Sequence, residues 1–188
     1  MFIKKEPTRF CDFHYEMKIN FEKQGTPLEF LLRFLILFTP LYALIELTTI
    51  YYSNNTLTQL ITQLQHFLLQ YIGITTTTTN NLLFLNQTTF EIIPDCTGLM
   101  LIAMLASLLY ATRSVKIEHK IKTLLFGGAA LLIFNQIRLL TTLILFFLHG
   151  QNTFELVHFA LWIIDSLLVL GIWLLAINKN LQTDKKVT

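Results

Sequence analysis

Charge is what this chain has least of. Of its 188 residues only 14% are Asp, Glu, Lys or Arg, 53% are hydrophobic, and the mean hydropathy is +0.55. Such a balance excludes an ordinary soluble domain. The small net charge of +2 gives nucleic-acid binding no support. There is no glycine-rich phosphate loop and no internal repeat. Cysteine is nearly absent too, with Cys11 and Cys96 alone, and one thiol among scattered histidines has no recognisable zinc-ligand spacing. No metal and no cofactor are expected.

Basic residues are missing from two whole stretches, 51–95 and 149–155. Four hydrophobic runs, 28–50, 97–112, 123–148 and 154–177, lie between these stretches and the basic ones, each approaching the ~20 residues that cross a bilayer core. The run at 97–112 is the shortest and must borrow residues at its ends. Because positive residues stay on the cytoplasmic side, both termini are predicted in the cytoplasm and the two Lys/Arg-free stretches outside. The first run reads as an anchor rather than a cleaved signal. Cys11 and Cys96 then face opposite sides of the membrane and cannot pair.

The predicted fold is an all-α polytopic membrane protein of about four transmembrane helices. Its parts are a cytoplasmic segment 1–27, a membrane-embedded core 28–178 with an external stretch at 51–95, and a cytoplasmic tail 179–188. A short helix is expected in 1–27. Leu57, Leu60, Ile61, Leu64, Phe67, Leu68, Tyr71 and Ile72 recur at helical spacing opposite Thr58, Gln59, Thr62, Gln63 and Gln70, which predicts an amphipathic helix on the outer membrane surface. The Thr-, Leu- and Ile-rich stretches 74–79 and 82–93, punctuated by Asn80-Asn81 and Asn86-Gln87, read as a small extended hairpin before the Cys motif. A disordered threonine tract is the alternative.

Three reactive side chains stand out: Cys96 at the mouth of the second run, and Arg138 and His158 inside the third and fourth. Ionisable groups in lipid are costly enough to be functional candidates. A thiol, a guanidinium and an imidazole together make a cysteine acyl-transfer centre. Counting ~1.5 Å per residue from the outer face puts Cys96 at the surface, His158 ~6 Å deep and Arg138 ~15 Å deep. A snorkelling arginine brings the three functional groups together. Asp95 is a candidate N-cap, placing Cys96 at a first helical position where the helix dipole favours a thiolate while the Asp95 charge opposes it.

Asp165, ~16 Å deep, either pairs structurally with Arg138 or orients the site from below, since it shares a helix face with His158. Asn135 shares a face with Arg138 and is expected to join the same polar cluster. Gly127-Gly128 and Gly171 are expected to allow close helix packing, with a substrate helix seated near Gly127-Gly128. Trp162 and Trp173 are expected to pack or to anchor at the interface.

The run Pro94-Asp95-Cys96-Thr97-Gly98-Leu99, the run Asn135-Gln136-Ile137-Arg138 and His158, on successive spans, resemble the exosortase/archaeosortase family of membrane-embedded cysteine transpeptidases. The first is similar to the family's Cys-x-Gly signature, the second to its Asn-x-x-Arg element, and His158 falls where the bacterial exosortase branch has a histidine. The likeness covers roughly 82–177, and the chain resembles compact members without additional spans.

The resemblance implies a peptidase or transpeptidase of the bacterial cytoplasmic (inner) membrane, using Cys96, Arg138 and His158 and facing outwards. Its implied partners are exported proteins carrying a C-terminal motif, a transmembrane helix and a basic tail, with an acceptor glycan or lipid. Rival readings are a membrane cysteine acyltransferase on lipid-linked substrates, a non-catalytic assembly subunit locked by Arg138 and Asp165, and a small anion transporter, which the four spans support poorly.

Overall fold

The computed structural model describes residues 26–51, 56–85 and 88–185. The short helix expected in 1–27, and Cys11 with it, lies outside the described residues, as does the end of the tail. The elements in order are α1 (Pro27–Tyr51), α2 (Thr56–Tyr71), strands β1 (Thr76–Thr79), β2 (Leu82–Leu85) and β3 (Thr88–Glu91), a 3-10 turn (Pro94–Thr97), α3 (Leu99–Ala111), α4 (Ile117–His149) and α5 (Gln151–Lys185).

The chain is an all-α polytopic membrane protein with a small extended cap. Among the described residues three helical segments are long and apolar enough to cross a membrane: Pro27–Leu47, Ile117–His149 and Phe154–Asn178. The fourth predicted span is shorter than expected. α3 has 13 residues, or about 20 Å, and the 3-10 turn before it adds about 8 Å. Together they approach the ~30 Å hydrocarbon core. Helix is the economical form for such segments, because lipid offers no partner for a free backbone N–H or C=O.

The core is made where α3, α4 and α5 meet, around Leu105, Leu108, Leu109, Leu131, Val169 and Ala176, with Phe30 and Phe34 of α1 packed on its edge. α1 lies along α3 and otherwise presents Leu31, Leu32, Leu35 and Ile36 outward. Gly127 is the tightest point. A Cβ there would come within 2.8 Å of Ile172 Cγ2 and 3.2 Å of Leu105 Cδ2, so α4 needs glycine to approach both neighbours. Gly128 has room at 3.9 Å, and Gly171 has nothing within 4 Å, so the packing role expected of Gly171 is not found. Gly127 and Gly128 are both buried and the protein's own side chains fill the place expected to seat a substrate helix.

The external loop expected at 149–155 shrinks to one residue. α4 continues to His149 and α5 starts at Gln151, with Gly150 between them at φ 78° and ψ −168°, a positive-φ conformation open to glycine but not to residues with a Cβ. Phe146 and Phe154, on either side of this corner, meet edge to face at 6.0 Å, and Phe90 of β3 contacts both, at 4.7 and 5.6 Å.

The cap stands on the His149 end of α4. The hairpin expected at 74–93 is a three-stranded antiparallel meander in the order β1-β2-β3, with Thr77 opposite Phe84 and Phe84 opposite Thr89. The threonine run Thr76–Thr79 is thus a strand. The period-2 alternation of strands turns Leu83 and Leu85 inward, where they pack with Leu69, Ile74 and Leu143. α2 is the predicted helix, with a buried side that is mixed in character. Thr58, Ile61, Thr62, Gln65 and Leu69 are buried against the protein, whereas Leu60, Leu64, Phe67 and Tyr71 are exposed. Most of the apolar stripe thus faces outward, and part of the polar stripe finds its place inside.

Candidate functional site

Cys96 lies on the 3-10 turn rather than at the start of an α-helix. Pro94 opens the turn, where its missing N–H costs nothing. The turn's N-cap is Ile93, without a side-chain cap bond. Asp95 is therefore not the N-cap expected from the sequence; it is exposed in the turn itself. The Cys96 N–H donates to Ile93 O at 2.9 Å, and the Thr97 hydroxyl donates to Pro94 O. Gly98 then breaks the chain direction at φ 84° before α3 begins. This break separates Cys96 from α3 and removes the dipole argument that favoured a thiolate.

Burial dominates the thiol instead. It pushes the Cys96 pKa above its ordinary value, against the pull of a backbone hydrogen bond at Ile93 and of the Arg138 charge, with Asp95 adding to the rise. Asp95 is itself raised, first by partial burial and then by Glu46. Glu46, in α1, accepts a hydrogen bond from the Tyr42 hydroxyl at 3.0 Å, and sequence reasoning passed over it. The thiol is free and packs against the apolar group of Ile61, Ile92 and Leu139.

α4 supplies the polar contacts. Asn135, 1% exposed, donates from Nδ2 to Cys96 O at 2.6 Å. It therefore holds the cysteine turn from below rather than joining Arg138. Gly98 completes that fit, since a Cβ there would sit 3.3 Å from Asn135 Cβ, Cγ and Nδ2. Gln136 accepts from Gln65 Nε2 of α2 at its carbonyl, 3.3 Å, and at its side chain, 2.9 Å. Arg138, 4% exposed, donates from Nη1 to Asp165 Oδ2 at 2.6 Å. The structural pairing of Arg138 with Asp165 is thus formed. The pair is engaged at one point only: Arg138 Nε and Asp165 Oδ1 are buried without partners.

His158 is half-buried on α5 and stacks on Phe154, with centroids 5.7 Å apart and planes 8° from parallel. Through Phe154 its ring is tied to the Phe90–Phe146 corner, an aromatic chain visible in the sequence only as separate phenylalanines. The Arg138 charge acts on both Cys96 and His158, and Asp165 acts on His158. Arg138 is hydrogen-bonded to Asp165 rather than to Cys96 or His158, so the three candidate residues are related here only through the reach of its charge. Of the other histidines, His66 contacts Thr76 Oγ1 at 2.6 Å and His149 is exposed at the end of α4. Trp173 has a polar partner beyond packing, donating from Nε1 to Thr112 Oγ1 at 2.8 Å. No group of three or more His, Cys, Asp or Glu able to hold a metal occurs among the described residues.

A polytopic helical membrane protein with a cysteine turn held by an Asn-x-x-Arg helix defines the class. A family model for transmembrane exosortases matches residues 24–178, and the chain belongs to that family. No curated protein and no solved structure gives a significant match.

Proposed function

We propose that the chain is a cysteine transpeptidase or peptidase that cleaves the C-terminal sorting signal of exported proteins at the outer face of a bacterial cytoplasmic membrane. The substrate presents a short motif, a transmembrane helix and a basic tail, and the product passes to water or to a glycan or lipid acceptor. In this reading the core is 28–178, both termini are cytoplasmic, and the cap covers the outer side. The Lys/Arg-free stretches support that orientation.

The observation that carries the reading is one turn of α4. Asn135 fixes the Cys96 carbonyl, and three residues later Arg138 places a positive charge that acts on both the thiol and the imidazole. Because burial raises the thiol's pKa, Cys96 needs a base at neutral pH. His158 takes its proton as the sulfur attacks the scissile carbonyl. Arg138 stabilises the negative oxygen of the tetrahedral intermediate, an interaction strengthened where water is excluded. Collapse to the thioester expels the amine, which receives the proton back from His158. Attack on the thioester by water or by an acceptor amine or hydroxyl then frees the thiol. Asp165 holds Arg138 in place, and Phe154 orients the His158 ring.

The Arg138–Asp165 pair favours one rival, a non-catalytic assembly subunit whose buried charges merely lock α4 to α5. The two readings separate in one experiment. The protein is co-expressed with tagged exported proteins bearing C-terminal sorting signals, and their C-termini are read by mass spectrometry for the native chain, Cys96→Ser, Arg138→Ala and His158→Ala. Trimming lost in all three variants is expected. Trimming by the native chain that persists in Cys96→Ser refutes the cysteine mechanism.

A further inference from the structure

Four buried polar side-chain atoms among the described residues have no hydrogen-bond partner: Gln65 Oε1, Asn135 Oδ1, Asp165 Oδ1 and Arg138 Nε. Buried polar groups are normally satisfied, so each exception asks for an explanation. Two of them are amide oxygens whose orientation is fixed by chemistry. Gln65 faces the Gln136 carbonyl and Asn135 faces the Cys96 carbonyl, and a carbonyl only accepts, so each amide must present its NH2 there and its oxygen elsewhere.

Both oxygens belong to the neighbourhood of Cys96. Asn135 bonds its carbonyl, and Gln65 lies one turn along α2 from Ile61, which packs in the same cluster as the thiol. Gln65 is 0% and Asn135 1% exposed, so neither is satisfied by bulk solvent. The set therefore lacks N–H donors for three acceptors and one C=O for Arg138 Nε. An extended peptide main chain carries that pattern, alternating N–H and C=O along its length. A lipid-linked acyl group has no such row of N–H donors.

We propose that Gln65, with Asn135, forms a main-chain recognition subsite beside Cys96, in which the two amide oxygens accept backbone N–H groups of an extended peptide. The inference rests on the cysteine chemistry proposed above and adds its specificity. Gln65 makes the site select polypeptide over lipid-linked acyl donors, whatever side chains the peptide carries. Gln65 and Asn135 keep their NH2 bonds to Gln136 and to the Cys96 carbonyl while their oxygens take the peptide.

The test uses the full chain in detergent micelles and two reagents with one warhead, acetyl-trialanine chloromethyl ketone and chloroacetone. In both the Cys96 thiolate displaces chloride to form a thioether, and labelling rates are read by mass spectrometry. Cys96 is expected to react faster with the peptide reagent, relative to chloroacetone. That rate ratio should fall roughly three- to tenfold, the value of one hydrogen bond, in Gln65→Leu and equally with a backbone N-methylated peptide reagent.

A ratio near one in the native chain, or one that Gln65→Leu and N-methylation leave unchanged, overturns the proposal. So does equal slowing of both reagents by Gln65→Leu, the mark of a purely structural glutamine. Failure of the cysteine mechanism itself appears elsewhere, as Cys96-independent trimming, and leaves the labelling ratio as measured.

Discussion

Replacing Gly98 with alanine tests the geometry that holds the cysteine turn. Two costs arise separately. A non-glycine residue at φ 84° occupies the left-handed region at ~1–2 kcal/mol. The added Cβ would also stand 3.3 Å from three atoms of Asn135, a side chain that is 1% exposed and held by its 2.6 Å bond to Cys96 O. Relief requires Asn135 to give way, and losing that bond costs about 1 kcal/mol. The expected destabilisation of Gly98→Ala is ~2–3 kcal/mol, the sum of these two terms.

The partition can be checked by a double-mutant cycle. In an Asn135→Gly background the hydrogen bond and all three contacting atoms are gone, so Gly98→Ala should cost only the backbone strain of ~1–2 kcal/mol. Unfolding by SDS in mixed micelles, followed by tryptophan fluorescence, gives the four stabilities. A coupling of about 1 kcal/mol between the two sites is expected. A cost below about 0.5 kcal/mol, the usual scale of an uneventful surface change, refutes the argument. A full cost that persists without the Asn135 amide refutes the steric half of it. Under the proposed function Gly98→Ala should also slow trimming, because the anchor of the Cys96 carbonyl is disturbed.

Arg138→Leu and Asp165→Leu should each destabilise by ~3–5 kcal/mol, because either leaves an uncompensated buried charge, while the double variant should cost less than either alone; additive losses in the same SDS titration would show that the pair is not coupled. The rate at which Cys96 is alkylated by iodoacetamide should keep rising with pH beyond the range of a free thiol, because its pKa is raised. Asp95→Asn removes a charge that raises it and should speed alkylation at neutral pH, whereas Arg138→Gln removes one that lowers it and should slow alkylation; opposite signs would mean that burial and these two charges have been misjudged. Gly127→Ala should cost ~1–3 kcal/mol by overpacking against Ile172 and Leu105, and Gly171→Ala should stay within about 0.5 kcal/mol, since nothing lies within 4 Å of it; equal effects in thermal aggregation assays would count against the packing described.

Much of the fold was legible because lipid imposes simple rules: helix length, hydropathy and the missing basic residues mark the spans. α2 shows where the same rules mislead. Its period was plain, but amphipathicity does not say which residues meet the protein, and the buried side of α2 takes Thr58, Thr62 and Gln65 together with Ile61 and Leu69. The corner at Gly150 was hidden for a related reason, since polar residues at 149–155 look like a loop even where the helix restarts at once. The roles of Asp95 and Asn135 depended on the 3-10 turn, and the left-handed Gly98 that makes the turn is a tertiary choice, fixed by Asn135 across 37 residues of sequence. Arg138 needed less. An arginine deep in a span must find a partner, and Asp165 at matching depth was the one to expect.

The four residues 135–138 explain why this site is read through one helix. Successive residues turn by ~100° about the α4 axis, so they address four directions in order: Asn135 meets the cysteine turn, Gln136 meets α2, Ile137 is 53% exposed on the outer surface, and Arg138 meets α5. A rotation of α4 therefore cannot change one contact alone. Drawing Gln136 away from the cap also moves the amide under Cys96 and the guanidinium on Asp165. Asn135, Gln136 and Arg138 thus tie the cysteine turn, α2 and α5 to a single turn of α4, while Ile137 takes no part in that bracing and faces outward.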